Sequence, residues 1–227
     1  MIEYSIIFFT LFNSLVQIYL TLRQILALHK EKSAISKSMS SDEEYLQMQK
    51  YNNDKLFFSI FKCLILTCKE LVILKYRLNQ SFYNSYFSNL YMSEVLFFLA
   101  VYNINSLLDI PFNLYQTFQI EHAHGFNKMT LGLFFMDLFK STMILNGVFF
   151  FILHVVLYLI SNYLNSFWFY LWVFMSITQI CLVVIFPVYI QPLFNKFTNL
   201  EDGSLKDKIK DLCTKIGFKT SKILIMD

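Results

Sequence analysis

The chain has 227 residues, of which 56% are hydrophobic, 19% aromatic and only 15% charged, with a net charge of +3 and a mean hydropathy of +0.48. That balance excludes an ordinary soluble domain and points to several membrane spans, and so small a positive charge gives no footing for nucleic-acid binding. Cys63, Cys68 and Cys181 lie in apolar segments and Cys213 in a basic one, which reads as reduced, buried thiols and excludes a disulfide framework.

From Tyr4 to Leu22 no residue is charged, and the apolar run continues past Arg23 to Leu28. At about 1.5 Å per residue this crosses a hydrocarbon core of roughly 30 Å. The start has neither a basic leader nor a small-residue cleavage site, so it reads as a retained helix. His29 to Lys55 is polar and serine-rich, and Ser41-Asp-Glu-Glu44 has the spacing of a capping box, predicting a short surface helix. Leu56 to Tyr76 is the second span, although it carries Lys62, Lys69, Glu70 and Lys75, with Arg77 just beyond. A charge facing lipid at mid-membrane costs about 2.5–3.5 kcal/mol. At about 100° per residue, Lys62, Lys69, Glu70 and Arg77 share an arc of about 100°, so one side of this helix is expected to face lipid and the other protein or water.

Leu78 to Tyr91 carries no charge and reads as a short loop. The third span, Tyr91 to Ile110, places Glu94, Asn105 and Asp109 within an arc of about 60°. In an antiparallel helix pair, facing residues have a constant sum of residue numbers. That sum is 171 for Lys62 with Asp109 and for Arg77 with Glu94, so these two pairs are expected to face each other.

The segment Thr117 to Thr130 follows, with Asp109 and Pro111 expected to close the helix before it and Gly125 to break any helix through it. Spans four (134–161) and five (167–188) come next; Ser141 to Ser161 has no charged residue, and His154 is its one histidine. Tyr163, Trp168, Tyr170 and Trp172 form an interfacial belt, and Pro187 and Pro192 are expected to end the fifth helix. Lysines and arginines crowd His29–Lys55 and Gln191–Asp227, which predicts a luminal N-terminus and a cytosolic C-terminus. In the tail, Ser204 with Asp207 is expected to cap a helix with Leu205, Ile209, Leu212 and Ile216 on one face, and Lys222 to Asp227 reads as an unpaired apolar strand. The expected organisation is therefore 1–190 as a membrane domain, with spans at about 4–28, 56–76, 91–110, 134–161 and 167–188, and 191–227 as the start of a second domain.

Two motifs carry a family resemblance. One is Glu121-x-x-His124-Gly125-Phe126-Asn127-Lys128 followed by Thr130 and the helix start Phe134-Phe-Met-Asp-Leu-Phe-Lys140. The other is Pro192-Leu-Phe-Asn195, then Phe197 and Leu200-Glu-Asp-Gly-Ser-Leu205, with Asn199 where a proline is usual. With Leu22-Arg23-Gln24, these resemble the membrane portion of type I CAAX prenyl proteases, zinc endopeptidases of the endoplasmic reticulum. The resemblance implies an all-α multi-span membrane protein: five transmembrane helices plus the start of a cytosolic α/β peptidase domain. It further implies that the helices help to enclose a water-filled intramembrane chamber for prenylated CAAX proteins. In the family, zinc is held by a His-Glu-x-x-His helix and a further glutamate.

His29, His122, His124 and His154 do not form that signature, so no cofactor and no catalytic or metal residue is expected in this chain, and alone it is expected not to hydrolyse peptides. The partners implied are the lipid bilayer, a prenylated peptide and a separate or missing catalytic portion. The motif residues Glu121, His124, Gly125, Phe126, Asn127 and Lys128 are candidates for the chamber or for tying the loop to the catalytic domain. His122 and His124 beside Glu121 read better as a hydrogen-bonded loop than as a metal site, and His154 as an interhelical histidine. Two other readings stand beside this one: a non-catalytic membrane binding or scaffold relative, and a small transporter suggested only by the intramembrane charges.

Overall fold

The computed structural model describes residues 2–30, 41–90, 92–220 and 222–226. The middle of the first polar segment, Tyr91 at the expected start of span three, and Asp227 lie outside the described residues. The elements are helix α1 (Ile2–Leu28), α2 (Asp42–Lys75), α3 (Leu78–Tyr86), α4 (Ser93–Tyr115), α5 (Leu131–Asn162), α6 (Phe167–Ile185), strand β1 (Phe197–Asn199), helix α7 (Ser204–Lys215) and strand β2 (Leu224–Met226). Two compact units divide the chain, Met1–Phe151 and Ile152–Asp227.

Among the described residues, four helical stretches are long and apolar enough to cross a membrane: Glu3–Leu28, Ser93–Glu121, Leu131–Asn162 and Leu164–Leu193. Their surfaces are greasy, as lipid requires: Trp168 is 72% and Trp172 67% exposed, and among the described residues only Ile25, Val95, Ile120, Leu159 and Ser93 are buried. Helix α2 does not meet the same hydropathy test because of its charges, yet it is two-faced. Phe57, Phe61, Leu64, Ile65, Cys68 and Val72 are exposed, whereas Lys62, Lys69 and Glu70 are half-buried.

In the first unit, helices pack as antiparallel neighbours. Between α1 and α2, the hydroxyls of Ser14 and Thr67 lie 2.6 Å apart, and the Gln49 amide donates to the Leu28 carbonyl. Between α4 and α5, Asn103 and Asn146 exchange two amide hydrogen bonds of 2.8 and 3.0 Å. Each also donates to the carbonyl four residues back on its own helix, Leu99 and Thr142, so both amides are paired across the apolar interface.

Several expectations are corrected. The capping box forms, with Ser41 Oγ accepting from the Glu44 amide and Glu44 Oε2 from the Ser41 amide, but the helix it starts is not short. It runs unbroken from Asp42 to Lys75, because nothing between Lys50 and Lys55 breaks a helix. The segment read as a loop contains helix α3, whose Phe82 and Tyr83 pack on Phe97. Pro111 does not end span three; α4 passes through it to Tyr115 and continues as a π-helical segment, Gln116–Glu121. Proline costs a helix about 3 kcal/mol, but stopping in lipid strands several backbone groups at several kcal/mol each. Likewise α6 leaves α-helical geometry at Ile185, and π- and 3-10-helical turns carry it past Pro187 and Pro192 to Leu193.

In the second unit, the Tyr163 ring lies tilted against the Tyr170 ring at 4.9 Å near the short turn before α6. Strand β2 is paired, contrary to expectation: Phe197, Thr198 and Asn199 face Met226, Ile225 and Leu224 in an antiparallel ribbon. The three-residue strand β1 carries too little apolar alternation to be read from sequence. Helix α7 begins at Ser204 itself, with Gly203 at the cap and no side-chain cap bond. The Lys206 ammonium, 2.7 Å from Asp202, holds that carboxyl below its usual range.

Replacing Asn146 with leucine leaves the Asn103 amide half-unpaired between apolar helices. N146L is expected to cost about 1–2 kcal/mol, and the N103L/N146L pair to recover part of it. Thermal unfolding in micelles, compared across the four-variant cycle, measures both.

Candidate functional site

The motif loop is built by how α4 ends. In the π-helical segment, the Gln116 amide donates to Glu121 Oε1 at 3.3 Å, and beyond it the Glu121 carbonyl accepts from the amides of Phe126 and Asn127. Closing the chain back on one carbonyl needs a left-handed residue, and Gly125 supplies it at φ 76°. Asn127 Oδ1 then accepts from the Met129 amide at 2.7 Å, and Thr130 Oγ1 from the Leu133 amide, which starts α5. Lys128 is exposed.

Helix α2 clamps this loop. His124 Nε2 donates to Asp54 Oδ2 at 2.8 Å, and the His124 side chain is only 18% exposed. Tyr51, one turn earlier, lies edge-on to the His124 ring and 4.6 Å from the Phe126 ring. Thus His124 and Phe126, with Gly125 turning the chain between them, dock on one face of α2. Neither Tyr51 nor Asp54 was singled out from sequence, because both sit in a polar segment without a motif.

The intramembrane charges are also held by α2. Lys62 Nζ lies 3.5 Å from Asp109 Oδ1, 3.4 Å from Asn113 Oδ1, and over the Phe112 ring. The Asp109 oxygen receives this charge contact without a hydrogen bond. Lys69 donates to Asn105 Oδ1 at 2.6 Å and lies 3.1 Å from Glu70, while the Asn105 amide is anchored on the Val101 carbonyl.

The expected Arg77–Glu94 pair does not form. Arg77 reaches Glu3 of α1 at 2.6 Å, and Glu94 is exposed at the start of α4. The helical arithmetic was carried too far: α2 stops at Lys75, and Arg77 has left-handed backbone (φ 50°), which turns its side chain off the stripe.

Two grooves flank α2. One, about 680 Å³, lies between α1 and α2 and is lined by Thr10, Asn13, Ser14, Gln17 and Thr21 from α1 and by Lys62, Thr67 and Glu70 from α2, among others. The five α1 residues share an arc of about 100°. They escaped the sequence reading because amides and hydroxyls carry no charge. The other, about 870 Å³, lies between α2 and the α4 end and is aromatic: Phe57, Phe58, Phe61, Phe112 and Tyr115, with Asp54 at one edge.

Residues 23–196 match the family described as CAAX prenyl protease N-terminal, five membrane helices. The chain belongs to this family. It is 32% identical over 223 residues to CAAX prenyl protease 1 of Saccharomyces cerevisiae, covering 92% of this chain and 49% of that protein. The CAAX prenyl protease 1 homolog of Arabidopsis thaliana is 29% identical, covering 98% and 55%. The crystal structure of S. mikatae Ste24p superposes with a TM-score of 0.88 at 30% identity, over 99% of this chain and 55% of that one. The chain thus spans about half the length of the relatives it matches. It is a multi-pass membrane protein of the CAAX prenyl protease family.

Zinc is the metal that the resemblance implies. A protein zinc site takes three or four ligands, and among the described residues no three His, Cys, Asp or Glu side chains are grouped to hold a metal ion. His124 is engaged by Asp54. The described residues therefore do not fit zinc, and no chemical step is derived through it.

His124→Leu removes the clamp and is expected to raise trypsin cleavage after Lys128 about fivefold, the change expected from losing one hydrogen bond of about 1 kcal/mol. Limited proteolysis of the chain in nanodiscs checks this.

Proposed function

We propose that this chain is the membrane module of a CAAX prenyl endopeptidase, and that its helices α1, α2 and α4 form part of the wall of a hydrated intramembrane chamber. The observation that carries the reading is the two-faced α2. Its outer side is Phe, Leu, Ile and Val, while Lys62, Lys69 and Glu70 turn toward Asp109, Asn105 and one another. A helix so divided is stable across a bilayer only with its polar side in protein or water. On this reading α2 is the fifth of the family's membrane helices, alongside the four apolar stretches.

The aromatic groove beside α2 suits an isoprenoid. Phe57 and Phe61 are exposed on the lipid-facing side of the helix, so a chain dissolved in the bilayer reaches the groove sideways. On this reading the clamped loop Glu121–Lys128, which joins α4 to α5, ties the membrane helices to the catalytic portion through Asn127 and Lys128. Residues 191–227, with their two-stranded ribbon and basic helix, begin that cytosolic peptidase portion. The zinc helix is supplied by residues outside this sequence or by another chain. The positive-inside pattern supports a luminal N-terminus and a cytosolic C-terminus in the endoplasmic reticulum membrane.

In nanodiscs, the chain is expected to bind a fluorescent decapeptide bearing S-farnesylcysteine four residues from its C-terminus at least tenfold more tightly than the unfarnesylated decapeptide. F58A/Y115A is expected to remove most of that preference, because deleting two aromatic contacts to the isoprenoid costs a few kcal/mol. Fluorescence anisotropy reads the affinities, and mass spectrometry is expected to find the peptide uncut. Equal affinity for the two peptides overturns the reading.

A further inference from the structure

We infer that Lys206, Lys210 and Lys222 form a pocket for the phosphate of a lipid headgroup, and that its ligand is a phosphomonoester lipid in the leaflet where α6 ends.

The pocket is assembled from separate parts of the chain. Lys206 and Lys210 are one turn apart on α7, about 40° apart around its axis. Asn199 ends β1, and Lys222 and Ile223 lead into β2. The Leu200 amide donates to the Ile223 carbonyl at 3.0 Å, which closes that end of the ribbon and brings Lys222 beside Asn199. Together with Thr220, these side chains line a pocket of about 370 Å³.

Charge names the ligand. Three ammoniums line the pocket, and among the described residues no carboxylate does. Asp202 holds Lys206 from outside, at 2.7 Å, and its carboxyl is kept below its usual range by Lys206 first and by Lys210 as well. An ammonium has three donors, so Lys206 keeps donors for a ligand. Among the described residues, Lys210 and Lys222 form no ion pair. Three ammoniums less the one carboxylate leave two positive charges. A phosphomonoester carries about −1.5 to −2 at pH 7 and matches them. A phosphodiester or a carboxylate, with one charge, leaves half unmatched. Asn199 and Thr220 bring an amide and a hydroxyl to the same lining, suited to the remaining phosphate oxygens.

Position names the source. The Leu164–Leu193 stretch has 30 residues, about 45 Å of helix. A bilayer with its headgroups is about 40–45 Å thick, so Leu193 reaches the headgroup layer. The Gln191 amide, two residues earlier, lies 3.6 Å from Met226 Sδ and seats one end of the ribbon at that level. Asn199 and Leu224 are two residues along the ribbon from Phe197 and Met226, about 7 Å away. That is inside the screening length of about 8 Å at physiological salt, so lipid phosphates act on these lysines.

The experiment titrates short-chain lipids into the full chain in dodecylmaltoside micelles and reads affinity by microscale thermophoresis. Dioctanoyl phosphatidic acid is expected to bind about tenfold more tightly than dioctanoyl phosphatidylserine, whose net charge is smaller. K210Q/K222Q is expected to weaken phosphatidic acid binding about 30-fold, as the loss of two lysines near an anionic surface predicts. K208Q/K215Q removes the same charge from the roughly opposite side of α7 and is expected to change the affinity less than about twofold. K210R/K222R keeps the charge and is expected to hold the lipid within about threefold. Equal losses in the two glutamine variants mean diffuse attraction and overturn the pocket. Loss of binding in K210R/K222R, or no binding by the unaltered chain, overturns it as well. Phosphatidylserine bound as tightly as phosphatidic acid overturns the match to a dianion. Glycerol 3-phosphate bound as tightly as the lipid assigns the pocket to a soluble phosphate and overturns the lipid source.

Discussion

A membrane interior offers no water to a polar group, so each amide, hydroxyl or charge at depth must find its partner within the protein. That one constraint arranges the first unit. Helix α2 is the element on which it acts most strongly, because α2 brings Lys62, Lys69 and Glu70 into a segment flanked by apolar helices. The structure answers with Asp109, Asn113 and Asn105 from α4, while on the other side Ser14 of α1 pairs with Thr67, and Glu3 with Arg77 just beyond the helix. These contacts hold α2 between its two neighbours, where an all-apolar helix could slide or rotate. The Asn103–Asn146 pair extends the same logic to α5 with no charge at all.

The same constraint explains the helix irregularities. A proline in a soluble helix commonly marks an end. Here Pro111 and Pro187 sit within continuous helical backbone, followed by or lying in π-helical segments, because a wider turn re-pairs carbonyls that a break leaves bare. At the end of α4 this has a local consequence. The π segment delivers the Glu121 carbonyl to two amides of the motif loop, Gly125 turns the chain, and His124 and Phe126 reach Tyr51 and Asp54. The motif that carries the family resemblance is, in geometry, the seat of this loop on α2.

Family membership and the membrane class were legible because both rest on local pattern: runs of apolar residues, and two short motifs at the ends of helices. The capping box at Ser41 and the positive φ at Gly125 were legible for the same reason, since each depends on a few adjacent residues. The lysine of α2 and the aspartate of α4 were matched through helix periodicity and the constant sum of residue numbers in an antiparallel helix pair. That method failed one step later at Arg77, where the backbone leaves the helix and the period no longer applies.

The sequence by itself determined which segments must lie in lipid, where the loops carry charge, and which family the chain resembles, because hydropathy and motif spacing are properties of the chain taken locally. Only the tertiary structure decided that Asp54 holds His124, that β2 pairs with β1, and that Thr10, Asn13, Ser14, Gln17 and Thr21 line one groove with α2. Those outcomes depend on which helix or strand becomes whose neighbour. Uncharged polar residues at helical spacing leave only a faint trace in hydropathy, yet in a bilayer they direct packing as firmly as charges do.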